Sequence, residues 1–201
     1  MLYDKDIREP LFDFLEETYG KIRIIEEKQM GRSRADVVMV LPTALCGIEI
    51  KSDADTYTRL SRQVRDYNQY YDYNYIVAGT RHAAHVAEHV PEWWGIITVE
   101  LQEDRADFYL LREPKENPKV NWSRKMSLLW RPELAHIQEC NQLPKYKEKS
   151  KAFVVEKILL KVEKEKLKQQ ISEELFERDY NEIEEQIKKY RKDKLLKKLG
   201  G

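Results

Sequence analysis

The chain has 201 residues and a formal net charge of zero, because 36 lysines and arginines balance 36 aspartates and glutamates. This length suits one domain with an added segment, and the balanced charge does not mark the whole surface for nucleic-acid binding. The apolar runs are too short to span a membrane and no secretory signal pattern precedes them. We therefore expect a cytoplasmic protein with no membrane partner.

The first predicted element is an amphipathic helix near the N terminus. Its apolar residues recur at helical spacing: Ile7, Leu11, Phe14 and Leu15. Pro10 suits the first turn of a helix better than its interior, so the helix is predicted to begin near Arg8 or Glu9.

Two apolar runs flank a turn signal at Pro42-Thr43 and predict a β-hairpin. With the turn centred there, antiparallel partners have residue numbers that sum to about 85, which places Asp36 opposite Glu49. This register is an assumption, because a slip of one residue would move each side chain to the other face. Strand alternation puts Glu49 and Lys51 on the same face.

Two carboxylates and a lysine at the end of apolar strands are chemically informative. Charged side chains are rarely buried unless they are paired or bind a metal. Mg²⁺ relieves the repulsion between two carboxylates, and a neighbouring lysine can position a water or offset a phosphate charge. Asp36, Glu49 and Lys51 therefore fit a metal-assisted phosphodiester hydrolase, and an ordinary surface ion pair remains the alternative at this point.

A helix is predicted to follow the hairpin, over residues 55–71. Gln63 and Tyr67 are four residues apart and share one face of it. Three arginines, each three positions from the next, would form a phosphate-binding ridge along its flank, and two more basic residues precede the hairpin near the predicted site. These five residues are Arg59, Arg62, Arg65, Arg32 and Arg34.

The series of Asp36, then Glu49-Ile50-Lys51, then Gln63 and Tyr67 resembles the PD-(D/E)xK nuclease superfamily, in particular its RecB-like and lambda-exonuclease-like branch. The resemblance covers roughly residues 5 to 100 and extends to a small bacterial and phage group of uncertain function. The chain departs from the motif at Ala35, where the name-giving proline is absent.

The resemblance implies a role for each matching residue. Asp36 and Glu49, with the backbone carbonyl of Ile50, would bind Mg²⁺, and Mn²⁺ would substitute for it. Lys51 would orient the attacking water. Gln63 and Tyr67 would support the site and contact the nucleic acid, together with Arg34, Arg59 and Arg62.

The superfamily often has a further acidic ligand, and two residues compete for that role here. Glu9 lies at the start of the first helix, where a carboxylate also favours the helix dipole. Glu26 closes the strand-like run Ile22–Ile25 and is otherwise a solvated strand end. We favour Glu9 as the auxiliary metal ligand and keep Glu26 as its rival.

The remaining elements of the core alternate between strands and a helix. They are a strand over 73–79, a helix over 81–90, a strand over 96–101 and an edge strand over 108–111. This order predicts an α/β fold, a restriction-endonuclease-like mixed β-sheet flanked by helices. The nuclease-like core is predicted to cover residues 1–112.

Two further segments follow the core. Residues 113–149 contain four prolines and read as an irregular connector packed on the core, with one short helix near Pro132–Glu139. Residues 150–201 form a charged helical extension that could fold back as a hairpin, pair with a second chain or protein partner, or reach nucleic acid through its basic end. Its best heptad-like spacing involves Phe176, Tyr180, Ile183, Ile187 and Tyr190.

The sequence therefore predicts a Mg²⁺-dependent nuclease of bacterial or phage origin, with DNA a better substrate than RNA. The alternative is a catalytically silent module with the same fold that binds nucleic acid or a protein partner through its helical tail.

Overall fold

The computed structural model describes residues 2–103 and 105–179, and within them it contains six strands and seven α-helices. The strands are β1 (Arg23–Met30), β2 (Ser33–Leu41), β3 (Ala44–Lys51), β4 (Tyr73–Gly79), β5 (Gly95–Gln102) and β6 (Arg105–Arg112). The helices are α1 (Asp4–Tyr19), α2 (Leu60–Tyr70), α3 (Thr80–Ala83), α4 (Trp122–Ser127), α5 (Arg131–Cys140), α6 (Lys151–Lys161) and α7 (Lys164–Glu177).

All six strands form one mixed sheet in which they lie in chain order. β1, β2 and β3 are antiparallel, β3, β4 and β5 are parallel, and β6 returns antiparallel to β5. The parallel pairs require crossover connections, which are supplied by α2 and by the short helical segment after β4. The predicted α/β fold, with a mixed sheet, flanking helices and C-terminal helices, is confirmed.

The predicted register of the β2–β3 hairpin is also confirmed. The ladder runs from Leu41 opposite Ala44 to Val37 opposite Ile48, and both pairs sum to 85. Asp36 and Glu49 are the next residues beyond the last pair, so the hairpin brings them to the same end of the sheet.

Two layers of helices cover the sheet. On one face, Ile7, Leu11 and Leu15 of α1 pack in a core with alternate residues of β2 and β3. On the other face, α2, α5, α6 and α7 contribute to a second core. Glu49 and Lys51 alternate with Ile48 and Ile50, which belong to the α1 side, and they therefore face α2.

Helix α1 begins earlier than the sequence predicted. It starts at Asp4, so Pro10 lies inside the helix rather than in its first turn. Proline removes the hydrogen bond that residue 10 would give to the carbonyl of Asp6. Burial of the apolar stripe from Ile7 to Leu15 offsets this loss, since tertiary packing supplies most helix stability in proteins.

The helix predicted over 81–90 is wrong in extent. The structure has only α3 and a 3-10 turn at Val86–Glu88. The side chain of His82 is buried against Tyr57, and the centres of the two rings lie 4.8 Å apart.

The segments after β6 pack closely on the core. The helix predicted near Pro132 is α5, and α4 is an additional helix that the sequence analysis did not predict. Helices α6 and α7 fold back, and their buried residues join the core on the α2 side: Val154, Val155, Ile158, Leu167, Ile171 and Leu175.

The described residues include no helix long and apolar enough to cross a membrane. The heptad-like residues from Tyr180 onward and the basic run from Lys188 to Lys198 lie outside the part of the chain that the structure describes.

Candidate metal centre

The site lies at the end of the central strand β3, where two charged side chains are buried. Glu49 is 1% exposed and Lys51 is 6% exposed. The Nζ atom of Lys51 lies 2.5 Å from Oε1 of Glu49, so the two charges compensate each other. This pair is the centre around which the other polar groups are arranged.

Gln63 connects the ion pair to helix α2. Its Oε1 accepts a hydrogen bond from Lys51 Nζ at 3.3 Å, and its Nε2 donates to the Oε1 of Glu49. Since one amide binds both members of the pair, Gln63 restricts their rotation and holds them in a single arrangement.

Tyr67, one turn further along α2, binds the backbone between β2 and β3. Its hydroxyl donates to the carbonyl of Ile48 at 3.0 Å and accepts from the amide of Asp36 at 3.1 Å. The contact lies just past the last ladder pair and fixes the start of β2 relative to β3. Tyr67 is fully buried and Gln63 is half-buried, which favours a supporting role for Tyr67; contact of either residue with nucleic acid stays a prediction.

Gly47 makes this approach of the tyrosines possible, and sequence analysis missed it. A Cβ atom at this position would lie 2.3 Å from the ring of Tyr71 and 2.6 Å from the ring of Tyr67. A glycine inside a strand often marks a close approach of another group, so its presence in an otherwise apolar strand was the available signal.

Asp36 is positioned by the backbone of the opposite strand. Its Oδ2 accepts a hydrogen bond from the amide of Ile50 at 2.9 Å. Burial raises the pKa of Asp36, while this hydrogen bond and the charges of Lys51 and Arg8 lower it. Because the N–H and C=O of one strand residue point to the same side, we expect the carbonyl of Ile50 to face the β2 side of its strand as well.

Glu49 carries the clearest sign of a missing interaction. Burial, and then the neighbouring charge of Asp36, raise its pKa to about 7, although Lys51 opposes the shift. Its second oxygen, Oε2, is buried and accepts no hydrogen bond from the residues that the structure describes, because the nearby hydroxyl of Tyr67 donates to the carbonyl of Ile48. Buried polar atoms are nearly always paired, and a carboxylate oxygen without a donor is suited to a cation.

The two candidate auxiliary acids lie in different surroundings. Glu9 lies on α1, and it lines a surface hollow with Leu101 and Arg105 of β5 and β6. In the sheet order these two strands lie three and four positions from β2, so no described contact joins Glu9 to Asp36, and its role as a ligand stays a prediction. Glu26 is held 3.5 Å from the Nη1 atom of Arg8.

Arg8 and Asp4 occupy the place near Asp36 at which an acidic helix residue was expected. The guanidinium of Arg8 donates to the backbone carbonyl of Asp36 at 3.1 Å and binds both oxygens of Asp4 at 3.0 to 3.1 Å. Asp4 is close enough to raise the pKa of Asp36, although burial is the largest cause of that shift. No local pattern identified either residue, because their contact depends on where α1 crosses the end of the sheet.

The predicted arginine contacts lie on the surface near the site. Arg59 and Arg62 are exposed, and among the described residues neither forms a salt bridge. Arg34 is also exposed and pairs with Glu27 at 3.1 Å. The exposed side of the segment that carries Gln63 is therefore basic.

The site offers few oxygen ligands, but their chemistry is compatible with Mg²⁺. Across residues 2–103 and 105–179, no cluster of three or more His, Cys, Asp or Glu side chains is arranged to hold a metal ion. Asp36 and Glu49 supply two carboxylates, and the carbonyl of Ile50 is a third oxygen. Mg²⁺ is commonly held by one or two carboxylates with several waters, so these residues fit it.

The fold and site together define an α/β protein with two carboxylates and a lysine at the end of its central strand. The chain belongs to the family described as bacteriophage P4 protein cII, whose family model matches residues 2–198. A search of curated proteins and a search of solved structures each found no match.

Proposed function

We propose that this protein is a Mg²⁺-dependent nuclease that hydrolyses phosphodiester bonds. The observation that carries the proposal is that the buried Oε2 atom of Glu49, in a site shared with Asp36 and Lys51, accepts no hydrogen bond from the described residues. The hydroxyl of Tyr67 lies near Glu49, but its single hydrogen is donated to the carbonyl of Ile48. A structural ion pair would be expected to satisfy both carboxylate oxygens, whereas a metal ligand needs one oxygen without a donor.

Each side chain of the site has a distinct task in this proposal. Asp36 and Glu49, with the carbonyl of Ile50, would hold the ion. The bound metal would polarise the phosphodiester and lower the pKa of a water molecule. Gln63 would keep Glu49 and Lys51 in position, because it binds both of them.

Lys51 has one hydrogen-bond donor left for the reaction. An ammonium group carries three N–H donors, and Glu49 and Gln63 accept from Lys51 in the structure. The third N–H can therefore orient the attacking water or stabilise the negative charge that develops on the phosphate.

The exposed arginines beside α2 support a nucleic-acid substrate. Arg59 and Arg62 have no acidic partner among the described residues, so they are available to phosphates. We propose DNA as the preferred substrate and the cytoplasm as its location. The resemblance to PD-(D/E)xK nucleases supports the same chemistry, and residues 150–201 are the proposed contact for a second chain or a protein partner.

One observation favours a second function, a catalytically silent module that binds nucleic acid or a protein. Glu49 is already paired with Lys51, and the described residues include no group of three or more His, Cys, Asp or Glu side chains that could hold a metal ion. A site of this kind could persist as a structural ion pair in a binding protein.

Cleavage assays with matched variants separate these functions. Single-stranded, double-stranded and branched DNA and RNA are incubated with the protein, with and without Mg²⁺. Asp36→Asn and Lys51→Ala should abolish cleavage, and Asp13→Asn and Lys161→Ala, which alter exposed residues, should not. If the Asp36 and Lys51 variants cleave at the wild-type rate, the nuclease proposal is rejected. If no substrate is cleaved but Mn²⁺ binding is lost in Glu49→Ala, the module retains a metal site without this activity.

A further inference from the structure

A second group of charges lies away from the candidate metal centre, where four basic side chains surround one buried acid. Lys28 comes from β1, Arg131 and Lys151 are the first residues of α5 and α6, and Arg178 follows α7. The acid is Glu133, which is 4% exposed. Glu174 lies close enough to Glu133 for their charges to interact, but Glu174 is paired with His136, so the four basic side chains outnumber the acids around them in the described residues.

The carboxylate of Glu133 is already bound by Arg178 and by a backbone amide. It accepts two hydrogen bonds from Arg178, at 2.5 Å from Nε and 2.7 Å from Nη2. Its Oε2 also accepts from the backbone amide of Trp130 at 2.6 Å. Glu133 is therefore engaged by Arg178 and the backbone, and it forms no salt bridge with Lys28, Arg131 or Lys151.

Lys28, Arg131 and Lys151 form no salt bridge with any acid in the described part of the chain. Lys151 donates to the carbonyl of Ser127 at 2.8 Å, and Arg131 donates through Nη2 to the carbonyl of Tyr146 at 3.4 Å. Neutral carbonyl groups position these cations without cancelling their charge.

Among the described residues, Arg131 has an unpaired hydrogen-bond donor, and the surroundings of Lys28 disfavour its positive charge. The Nη1 atom of Arg131 is buried and has no hydrogen-bond partner in the described part of the chain. Lys28 lies with its Nζ atom 6.0 Å from the ring centre of Trp130. Burial, and then the charges of Arg178 and Lys151, lower the pKa of Lys28 to about 8, although Glu133 opposes the shift.

Electrostatics also favours an anion at this location. Burial lowers the pKa of Lys151 and the charges of Arg178 and Arg131 lower it further, against the effect of Glu133, so these groups are close enough to repel each other. Arg131 and Lys151 stand at the first turns of α5 and α6, where the helix dipoles are positive.

We propose that Lys28, Arg131 and Lys151 form an anion site that binds a phosphate group. A phosphate offers several acceptor oxygens to the fork of an arginine and the point charges of two lysines, and it would relieve their mutual repulsion. The phosphate can be a free oxyanion or part of a nucleic-acid strand. Only the second source rests on the proposed nuclease function.

The first test is a titration with inorganic phosphate, followed by calorimetry at low salt with EDTA present. Lys28→Gln and Arg131→Gln should each weaken binding by about tenfold, which is typical of one charge-assisted hydrogen bond. Lys161→Gln, which removes an exposed lysine outside the cluster, should leave the affinity unchanged. EDTA excludes the metal centre from the measurement, so the result does not depend on whether that centre is catalytic.

The second test repeats the comparison with a fluorescent single-stranded oligonucleotide, again in EDTA, and measures anisotropy. Loss of phosphate binding alone in the two variants assigns a free oxyanion, and loss of oligonucleotide binding assigns a strand. If both ligands bind the two variants as tightly as the wild type, or neither ligand binds the wild type, the anion site is rejected.

Stability separates a binding role from a structural one. Lys28→Gln removes a cation that other cations repel, so the melting temperature without phosphate should stay equal or rise. Added phosphate should raise the melting temperature of the wild type more than that of the variant. A lower melting temperature for Lys28→Gln without phosphate, combined with an unchanged response to phosphate, would instead indicate that Lys28 serves only the fold.

Discussion

The hydroxyl of Tyr67 lies 3.1 Å from the backbone nitrogen of Asp36, and it joins the start of β2 to β3 through the carbonyl of Ile48. Helix α2 thus positions Asp36 through the backbone, while Gln63 positions Glu49 and Lys51 through their side chains. One helix holds all three charged residues of the site.

Removal of this hydroxyl should destabilise the protein. In Tyr67→Phe, the buried carbonyl of Ile48 and the amide of Asp36 both lose a partner, which costs about 1–3 kcal/mol of the free energy of unfolding. Urea denaturation measures this change. Tyr3→Phe is the matched control, because Tyr3 is half exposed, and its effect should be within about 0.5 kcal/mol. Equal effects in the two variants would contradict the bridging role.

Gly47 should not tolerate a side chain. In Gly47→Ala, the new methyl group would meet the rings of Tyr67 and Tyr71 at 2.6 and 2.3 Å, and both rings are fully buried. Overpacking of this kind costs about 1–3 kcal/mol or more. Denaturant unfolding gives the value, and wild-type stability for Gly47→Ala would show that the tyrosines can move aside.

The local pattern of the chain was enough to predict the hairpin register and the grouping of Asp36, Glu49 and Lys51. Strand alternation and turn chemistry act over a few residues, so they are readable in sequence. Arg8 was not predictable in the same way, because its contact with Asp36 joins residues 28 positions apart. The surroundings of Glu9 were equally hidden, because the sequence indicated a helix but not the angle at which the helix crosses the sheet.

The pKa of Glu49 should make metal binding depend on pH. A metal ion needs the ionised carboxylate, and the pKa of Glu49 is raised to about 7. Mn²⁺ affinity should therefore fall by about tenfold per pH unit below 7 and level off above it, with about one proton released per ion bound at pH 6. Calorimetry in buffers of different ionisation enthalpy measures the protons. Binding that does not change between pH 5.5 and 8 would contradict the assignment of Glu49 as a ligand.

The same pKa predicts how stability without metal changes with pH. The folded state holds a proton on Glu49 up to about pH 7, whereas an unfolded chain releases it near its ordinary pKa. The unfolded state therefore binds fewer protons between these values, and Glu49 makes the free energy of unfolding decrease as pH rises, by on the order of 2 kcal/mol. Glu49→Gln should remove this contribution. An identical pH profile for Glu49→Gln and the wild type would show that Glu49 titrates normally.

A buried ion pair joins Lys125 of α4 to Asp72, the residue just before β4. The Nζ atom of Lys125 lies 2.6 and 2.7 Å from the two carboxylate oxygens of Asp72, and Lys125 is completely buried. Lys125→Met would leave the Asp72 charge unpaired inside the protein, which costs about 3–5 kcal/mol.

The matched control for that variant is another lysine in an ion pair. Lys168 pairs with Glu116 at 2.7 Å, but Glu116 is mostly exposed. Lys168→Met should therefore cost less than about 1 kcal/mol. Chemical unfolding of both variants gives the comparison, and similar losses would show that burial of the Asp72–Lys125 pair adds nothing.

Deletion of residues 151–201 should unfold the protein rather than release a smaller folded core. Val154, Ile158, Leu167 and Ile171 of α6 and α7 are buried in the core on the α2 side, which also contains Tyr67. Without these helices that core would face water, and the loss of several fully buried apolar side chains, at about 1.5–3 kcal/mol each, exceeds the net stability of an ordinary domain. Circular dichroism and thermal melting of the shortened chain measure the result. A second chain that ends after residue 179 keeps α6 and α7 and should melt cooperatively. If the chain that ends at residue 150 also melts cooperatively near the wild-type temperature, the two helices are dispensable for the fold.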